Sequence, residues 1–590
     1  MAPFTKVLVA NRGEIAVRIF RTLRELGIGA VAVYSDADRG RLHTRVADES
    51  FRIGPGPADE SYLRADVIVE TALRAGAEAI HPGYGFLAEN AAFARTVEDA
   101  GLVWIGPPPA AIELMGSKTE ARSAMRAAGV PIIPGATDPV RTVGEVVAIG
   151  EEIGYPLIIK AAAGGGGKGM ELVSDSSEAA GAFEAAQRQG LKYFADDAVY
   201  VERYLENPRH VEAQVLADGH GTVLFLGERD CTMQRRHQKL VEETPSPAVG
   251  PELRERIGEI AVDAARAAGY RSAGTIEGLL TAAGEYFFME MNTRIQVEHT
   301  VTELVTGLDL VREQILIAQG EPLSLRQEDV SLRGHAIECR INAEDVGKGF
   351  LPAPGLITAY EEPSGPGVRV DSGVRAGDEI SGLYDPMIAK LIVHDTNRET
   401  ARRRMLRALA EFRIEGPPTL LGFHAALLTE PCFVDGGTCH GLVESEELAQ
   451  RAEEMTELFS HRTTTVANGA DGRQTRERVV AVEVDGRSFD VRLHTTEPPW
   501  AALGRRRRER SAVGGAEGSG AVASPMQGTV LKVLVAEGDP VAVGQVICVI
   551  EAMKMENEIA APRDGVVTDL GVTSGQGVTN GQLICLVAES

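Results

Sequence analysis

A lysine in the C-terminal part of the chain has the surroundings of a site for covalent attachment of a cofactor. Lys554 is flanked by methionines and lies between two copies of one Val-, Ile- and Leu-rich pattern, in which residues 528–530 match 565–567 and residues 544–548 match 581–585. Glycine-containing turns punctuate both copies, which predicts short strands packed as a sandwich, with Lys554 on an exposed hairpin between the halves. Large apolar side chains normally lie inside, so the flanking methionines favour a modification site over an ordinary surface lysine.

The stretch Glu551–Asn557 resembles the attachment motif of the biotinyl domain of biotin-dependent carboxylases. The resemblance covers roughly the last seventy residues and implies an amide bond between the Lys554 amine and biotin. Lipoyl domains share the sandwich and the lysine at the turn, so lipoate is the alternative cofactor. The methionine on each side of Lys554 favours biotin.

A glycine run behind an apolar strand predicts a loop that binds phosphate. Lys160 follows the apolar segment 157–159, and four successive glycines, residues 164–167, precede Met170. Glycines let backbone N–H groups approach phosphate oxygens without interference from a Cβ atom. The run is not a Walker loop, because Met170 stands where Ser or Thr would reach magnesium. A flexible linker is the alternative, and a place between two strands, the second at 171–173, disfavours it.

Three side chains downstream have the types and spacing of a magnesium site. Glu277 follows one strand-like segment, and Glu290 and Asn292 follow another, where side chains two apart share a face of the strand. Mg²⁺ binds few carboxylates and shares its other positions with phosphates and water. Polar residues continue this row at a spacing of two as Arg294, Gln296 and Glu298. A strand with such a polar face is expected to line a site.

Length and composition exclude several classes of protein. The chain has 590 residues with 44% hydrophobic content, enough for about three to five domains. Its net charge of −25 argues against a general nucleic-acid binder. The sequence has no run of eighteen apolar residues and no secretory signal pattern, so no membrane partner is expected. Six scattered cysteines without metal-pair spacing fit a cytoplasmic protein.

The first hundred residues alternate strand and helix patterns. Strands are predicted at 7–10 and 30–34 with a helix at 14–26 between them, which is a βαβ opening. The turn at 11–14 lacks the GxGxxG fingerprint, so a nicotinamide cofactor is not expected. The loop at 81–87 follows a strand and is rich in turn formers, and such loops often border ligand crevices.

Residues 1 to about 450 resemble biotin carboxylase, an ATP-grasp enzyme, through the stretches 160–170, 202–210, 228–243, 290–299 and 338–344. The resemblance implies an α/β and α+β ATP-grasp biotin carboxylase followed by an all-β biotinyl sandwich. The expected regions are a βαβ domain (1–115), an ATP-grasp domain (116–325), a biotin carboxylase C-terminal domain (326–450), a small β element with a flexible linker (451–520) and the carrier domain (521–590).

The same resemblance implies roles for individual residues. ATP is expected to contact Lys118, Lys160, Gly166, Gly167, Met170, Glu202, Arg203, Tyr204, Leu205, His210, Gln234, His237 and Glu277. Mg²⁺ or Mn²⁺ is expected on Glu277, Glu290 and Asn292. Bicarbonate is assigned to Lys239, Arg294, Val297 and Glu298, and the reacting biotin to Arg340. Structural histidines at 210 and 237, and an ion pair of Arg340 with Glu338 or Glu344, are the alternatives.

The implied chemistry explains these residue types. Bicarbonate is a poor electrophile, so ATP would phosphorylate it to carboxyphosphate while Glu298 takes its proton. Lys239 and Arg294 would clamp the anion, and magnesium with Lys118, Lys160 and His237 would neutralise the transferring phosphoryl group. Carboxyphosphate would then yield CO₂ beside biotin, and the phosphate released with it would remove the ureido proton of biotin. Arg340 would stabilise the resulting enolate-like oxygen.

The segment between the two resemblances is predicted to be a small β element and a tether. A helix is predicted at 444–459, and the alternating stretch 479–491 contains an Asp-Gly step typical of a hairpin. The arginine run at 505–510 and the glycine-rich stretch 514–520 favour a charged, flexible tether for a travelling carrier. An RNA-binding patch is the alternative, and it lacks interleaved aromatic residues.

The resemblance finally implies the α subunit of an acetyl- or propionyl-CoA carboxylase. Its expected partners are a carboxyltransferase β subunit that selects the acyl-CoA, a biotin protein ligase, and further copies of the chain in a larger complex. Two alternatives are another ATP-grasp carboxylate-amine ligase fused to a lipoyl-type carrier, and a non-catalytic carrier protein with a decayed ATP site.

Overall fold

The computed structural model describes most of the chain. The described residues are 3–136, 139–161, 170–194, 198–236, 238–463, 475–484, 487–496, 520–525, 527–552, 555–579 and 581–588. They divide into two compact units, the first comprising residues 1–381 and 386–452 and the second residues 382–385 and 453–590.

The N-terminal region of the first unit is a parallel sheet with helices packed around it. Its strands are Lys6–Val9 (β1), Gly29–Ser35 (β2), Glu49–Gly54 (β3), Ala79–His81 (β4) and Val103–Trp104 (β5). Its helices are Gly13–Glu25 (α1), Leu42–Val46 (α2), Ala65–Ala75 (α3), Ala91–Asp99 (α4) and Pro109–Gly116 (α5). The strand order β3-β2-β1-β4-β5, parallel throughout, confirms the predicted βαβ opening. β1 is a continuous apolar run because it is buried on both faces.

The next region supplies most of the strands that carry the candidate site. Its helices are Lys118–Ala127 (α6), Val143–Ile153 (α7), Ala179–Phe194 (α8), Pro251–Ala267 (α9), His299–Thr306 (α10) and Leu310–Ala318 (α11). Its strands are Leu157–Ala161 (β6), Met170–Val173 (β7), Val199–Arg203 (β8), Arg209–Ala217 (β9), Val223–Arg235 (β10), Gln238–Thr244 (β11), Ser272–Leu280 (β12) and Tyr286–Asn292 (β13). β7, β6 and β8 form an antiparallel sheet of their own.

One large sheet continues into the following region. The strands there are His335–Asn342 (β14), Glu344–Asp345 (β15), Leu351–Pro352 (β16), Gly355–Leu356 (β17), Ala359–Glu361 (β18), Val368–Ser372 (β19), Glu379–Ile380 (β20), Met387–Asp395 (β21) and Arg413–Glu415 (β22). The helices are Arg398–Glu411 (α12), Leu421–Thr429 (α13), Pro431–Val434 (α14) and Glu446–Thr463 (α15). The sheet runs β13-β12-β9-β10-β11-β14-β21-β19, so β14 pairs directly with β11.

A disulfide bond joins Cys432 to Cys439, with Cα atoms 5.5 Å apart. The spacing of the cysteines in the sequence does not predict this pair, because the turn after α14, and not a motif, brings the two together. Cys231, Cys339, Cys548 and Cys585 are buried thiols. Within the described ranges, no helix combines the length and apolar character needed to cross a bilayer.

The second unit contains a hairpin and a sandwich. Thr475–Val484 (β23) pairs antiparallel with Arg487–Thr496 (β24), as predicted, although the Asp485-Gly486 step lies outside the described residues. The sandwich strands are Ala521–Ala523 (β25), Gly528–Val533 (β26), Pro540–Val541 (β27), Val546–Ala552 (β28), Met555–Ala560 (β29), Gly565–Thr568 (β30), Gly577–Val578 (β31) and Leu583–Ala588 (β32).

These strands form two four-stranded sheets, β25-β32-β30-β27 and β29-β28-β26-β31, which confirms the predicted sandwich. The sequence repeat is also a structural one. Ile547 and Cys548 of the first copy, and Ile584 and Cys585 of the second, are fully buried in a single core. The matching apolar residues of the two copies therefore pack inward from opposite sheets.

A fully buried arginine at the centre of the large sheet gives a test of the fold. Arg229 on β10 donates hydrogen bonds to Glu212, Gln214, Thr275 and Thr302, which lie on β9, β12 and α10. We expect Arg229→Met to lower the free energy of unfolding by about 3–5 kcal/mol, because buried polar partners lose their donor.

Chemical denaturation of the first unit, followed by tryptophan fluorescence, measures this loss. The control is Arg266→Met on α9, whose ion pair with Asp263 is largely exposed and should contribute little. Equal unfolding midpoints for the parent and the Arg229 variant would contradict the expectation.

Candidate active site

The register of the large sheet brings the predicted carboxylates together. Glu277 on β12 lies directly opposite Glu212 on β9 and opposite Glu290 on β13, so the three share one face of the sheet. Asn292, at the end of β13, shares the face of Glu290. The shared strand face predicted for Glu290 and Asn292 is therefore confirmed, and Glu277 lies opposite Glu290 on the neighbouring strand.

The predicted continuation of that strand through Arg294, Gln296 and Glu298 is wrong. β13 ends at Asn292, the chain bends, and Glu298 is the residue immediately before α10. The three side chains still point toward the site because Gln296 donates to Glu277, and Arg294 donates to Gln296, over distances of 2.9 and 2.6 Å. Polar residues at every second position are compatible with a strand and also with an irregular segment whose side chains point into the site, so this pattern cannot distinguish the two.

Lys239 on β11 lies at the centre of the site. Its Nζ atom lies 2.7 Å from Glu212, 2.9 Å from Glu277 and 2.7 Å from Glu298. Burial alone would lower the pKa of Lys239, but the surrounding carboxylates, Glu212 and Glu298 foremost, raise it well above its usual value. Lys239 is therefore a permanent cation at a site expected to bind an anion.

Glu298 is held between two cations. Its Oε1 atom accepts from Lys239, and its Oε2 atom lies 2.9 Å from Nη2 of Arg340. Burial would raise the pKa of Glu298, but Lys239 and Arg340 hold it well below its ordinary value. A carboxylate this well paired is a poor base until one of its cations turns to another partner.

Arg340 on β14 bridges two carboxylates. Its Nε atom bonds Glu242 at 2.5 Å while Nη2 bonds Glu298. The sequence suggested Glu338 or Glu344 as the alternative partner, but Glu338 accepts the hydroxyl of Thr300 and Glu344 accepts the amide of Asn342.

The oxygen ligands around Glu277 fit a divalent cation. Its carboxylate also lies 3.0 Å from Nε2 of His210. The surrounding protein desolvates Glu290 and raises its pKa, and the charges of Glu277 and Glu89 raise it further, while Lys118 lowers it. A bound cation would relieve the charge of Glu277 that raises the pKa of Glu290, and two carboxylates with an amide oxygen suit Mg²⁺.

The nucleotide side of the site is partly described. Lys160 at the end of β6 forms an ion pair with Glu202 on β8, which also lies 3.2 Å from Arg122. Gln234 donates to Nδ1 of His210 at 2.8 Å, so the two predicted ATP contacts touch. Gly166, Gly167 and His237 lie outside the described residues, and so does the side chain of Met170.

Other predicted residues lie around this region. Arg203 pairs with Glu285 and stacks over Phe287, while Tyr204 and Leu205 follow β8 and are half-buried. Arg294 donates to Asn292 and to Glu89. The carbonyl oxygen of Val297 accepts from Lys390 at 2.8 Å.

A cleft of about 330 Å³ adjoins Gln234. Its lining includes residues to which the sequence analysis gave no role, namely Asn207, Pro208, Thr232, Thr438, Cys439, His440, Gly441, Val443 and Glu444. The segment 438–444 contains Cys439 of the disulfide and is distant in sequence from every motif, so no local pattern marks it.

Glu212 and Glu242 were also missed, although a signal exists for them. Each is a fully buried carboxylate next to fully or nearly fully buried apolar neighbours, Val211 and Ala213 on β9 and Val241 on β11. A charged side chain in such a strand must have a buried partner.

The predicted attachment lysine belongs to the second unit. Lys554 lies outside the described residues, and the antiparallel pairing of Ala552 with Met555 flanks it. The two strands that border it are therefore adjacent in one sheet of the sandwich.

Four protein families match successive parts of the chain. They are described as "Biotin carboxylase, N-terminal domain" at residues 3–112, "Carbamoyl-phosphate synthase L chain, ATP binding domain" at 117–326, "Biotin carboxylase C-terminal domain" at 338–445 and "Biotin-requiring enzyme" at 520–587. The first three cover the strands of the site, and the fourth covers the sandwich.

Individual proteins are similar to the chain over most of its length. The chain is 46% identical over 566 residues to the biotin-dependent acyl-coenzyme A carboxylase alpha3 subunit of Mycobacterium leprae, covering 94% of each chain. It is 53% identical over 441 residues to the biotin carboxylase of Nostoc sp., covering 75% of this chain and 99% of that one.

Among solved structures, the biotin carboxylase domain of Hydrogenobacter thermophilus 2-oxoglutarate carboxylase, a dimer in complex with MgADP, ADP and bicarbonate, is similar with a TM-score of 0.68. It is 46% identical, and the match covers 78% of this chain and 99% of that one. From this agreement of sequence, domains and fold, we conclude that the chain belongs to the family of biotin-dependent acyl-CoA carboxylase α subunits, in which biotin carboxylase and a biotin carrier share one polypeptide.

Proposed function

We propose that this chain uses ATP and bicarbonate to carboxylate the biotin on its own Lys554, as the α subunit of an acyl-CoA carboxylase. The observation that carries the proposal is the row Lys239, Glu298, Arg340. In it, one carboxylate able to act as a base lies in hydrogen-bond contact with two cations. One cation suits a small anion and the other suits the oxygen of a ring urea.

The row explains how the base is controlled. A bicarbonate ion that takes a hydrogen bond from Lys239, and a biotin oxygen that takes one from Arg340, would remove the contacts that depress the pKa of Glu298. Glu298 then becomes a better proton acceptor at the moment when both substrates are bound. Arg294, two residues from Asn292, would hold the other side of the anion.

The nucleotide and metal would bind beside this row. Glu277, Glu290 and Asn292 would hold Mg²⁺, which supplies positive charge to the phosphate oxygens of ATP. Lys118 and Lys160 would contact the phosphates. Gln234, which lines the 330 Å³ cleft, and His210, which it contacts, would bind the nucleoside part, with the segment 438–444 forming the far wall.

The second half of the reaction is assigned to a partner. A carboxyltransferase would take the carboxyl group from biotin and pass it to an acetyl-, propionyl- or similar acyl-CoA, and it would set the choice among them. The support is the M. leprae relative, whose name makes it one subunit of a carboxylase and which matches over 94% of both chains. A biotin protein ligase would load Lys554, and copies of the chain would pair as in the dimeric H. thermophilus domain.

Labelled bicarbonate tests the proposal directly. Biotinylated chain incubated with ATP, Mg²⁺ and [¹⁴C]bicarbonate should carry label through rapid gel filtration at neutral pH, with at most one carboxyl group per chain. Omitting ATP, or adding avidin beforehand, should prevent labelling. No label on fully biotinylated chain in the complete mixture would overturn the proposal.

A further inference from the structure

Behind the Arg340 contact lie two buried glutamates that the reaction described above does not use. Glu242 on β11 and Glu338 on β14 are direct cross-strand partners, so their side chains share one face of the sheet. Both are fully buried. Within the described part of the chain, one oxygen of each carboxyl group, Oε2 of Glu242 and Oε1 of Glu338, has no hydrogen-bond partner.

Counting charges shows that the cluster has too few cations for its carboxylates. Three cations form ion pairs with four carboxylates. Arg229 pairs with Glu212, and Arg340 pairs with Glu242 and Glu298. Lys239 pairs with Glu212, Glu277 and Glu298. Glu338 is a fifth carboxylate, and it accepts a hydrogen bond from the hydroxyl of Thr300. Two ionised carboxylates side by side without a cation between them are strongly unfavourable in a buried site.

The remaining groups around the pair do not correct this deficit. Lys390 also pairs with Glu14 and Asp371 and donates to the carbonyl oxygen of Val297. Cys339 stays neutral, because burial raises the pKa of its thiol. The ring of His424 bonds the carbonyl oxygen of Arg340. Burial lowers the pKa of His424 to about 4, so it adds no charge near neutral pH. Lys239 and Glu298 face the pair from the other side and already hold each other.

We propose that Glu242 and Glu338 share one proton, and that Glu242 is a positioning residue which holds the Nε edge of Arg340 so that its other edge can turn from Glu298 to biotin. The proposal rests on the proposed function, in which Arg340 faces biotin. A shared proton leaves the pair with one negative charge, which matches the single bond from Arg340 to Glu242. Loss of that proton would add a second negative charge beside Arg340 and weaken its attraction for a developing oxyanion.

The titration behaviour of the pair agrees with this geometry. Burial raises the pKa of Glu242 to about 8, against the opposing charge of Arg340, and the charges of Glu338 and Glu298 raise it too. Burial likewise raises the pKa of Glu338 to about 7. One proton is therefore retained near neutral pH and lost as the pH rises through about 8, so the turnover number should fall over that range.

Two measurements on the full biotinylated chain test the proposal. Infrared difference spectra at pH 7 between the parent and Glu242→Gln should show the carbonyl stretch of a protonated carboxylic acid that disappears in the variant. In assays with free biotin, kcat of the parent should fall about tenfold from pH 7 to pH 9, and kcat of Glu242→Gln should stay within about twofold. The Glu338→Gln variant should lose the same infrared band and the same fall in kcat.

The matched control is Glu243→Gln, which alters the next residue on β11. Its carboxylate faces His335 and Arg398 instead of Arg340, so the band and the fall in kcat should persist. A purely structural role would lower the stability of Glu242→Gln while leaving the shape of the pH profile unchanged, and that result overturns the proposal. So does a spectrum of the parent without the carboxylic acid band. Absence of any bicarbonate-dependent ATP turnover in the parent would instead refute the proposed function, and the infrared result would still stand.

Discussion

Replacing Lys554 by alanine will abolish biotin incorporation and with it every reaction that depends on the carrier. The amide to biotin needs a primary amine, and alanine has none. The position is set by the repeat, because β28 and β29 pair up to Ala552 and Met555, the described residues on either side of it. A ligase that recognises this turn finds no substitute amine there.

Intact mass before and after incubation with biotin, ATP and a biotin protein ligase measures the loss. The matched control is Lys532→Ala, since Lys532 on β26 is the other lysine of the sandwich. The parent and the control should each gain the mass of one biotinyl group. If the Lys554 variant gained the same mass as the parent, or if the parent gained none, Lys554 would not be the site of biotin attachment. Lipoate would then be the cofactor to test.

Replacing Glu298 by glutamine will lower bicarbonate-dependent ATP hydrolysis by about a thousandfold while nucleotide affinity stays near that of the parent. The amide keeps the size of the carboxyl group, and its single oxygen can still accept a hydrogen bond from one of the two cations, Lys239 or Arg340, but it cannot accept a proton. General base catalysis contributes on the order of 10²–10⁴ to such steps. The nucleotide contacts proposed for Lys160, His210 and Gln234 are untouched.

Steady-state ATPase assays with and without bicarbonate, together with ADP binding by calorimetry, separate the two effects. The control is Glu228→Gln, another fully buried glutamate of the large sheet, whose ion pair is with Arg254. That variant should keep its turnover. Undiminished turnover in Glu298→Gln would place the base on a different residue.

Local patterns predicted those parts of the structure that depend on neighbours in sequence. The repeat around Lys554 predicted the sandwich because each copy contains its own strands and turns. The alternation at Glu290 and Asn292 predicted a shared strand face for the same reason. The pattern failed beyond Asn292, where a bend, and not a strand, carries Glu298 to the site.

Contacts set by the pairing of distant strands could not be read from sequence. The bond between Arg340 and Glu242 depends on β14 lying beside β11, and the three contacts of Lys239 depend on β9 and β12 as well. The cleft wall at 438–444, and the disulfide that ties its Cys439 to α14, depend on the turn that follows α14. None of these neighbours is close in the chain.

The unbroken ladder from β13 to β19 has a mechanical consequence. Neighbouring strands lie about 4.8 Å apart, so a flat sheet would separate β11 from β12 by about 14 Å, too far for Lys239 to touch Glu277. The sheet must therefore curl into a trough that the side chains span from wall to wall. Because hydrogen bonds join all eight strands, the Glu277 end and the Arg340 end of the trough are expected to keep a constant separation during turnover. The movements that let substrates bind and products leave are then expected in the loops and in the tethered carrier, while the sheet itself stays rigid.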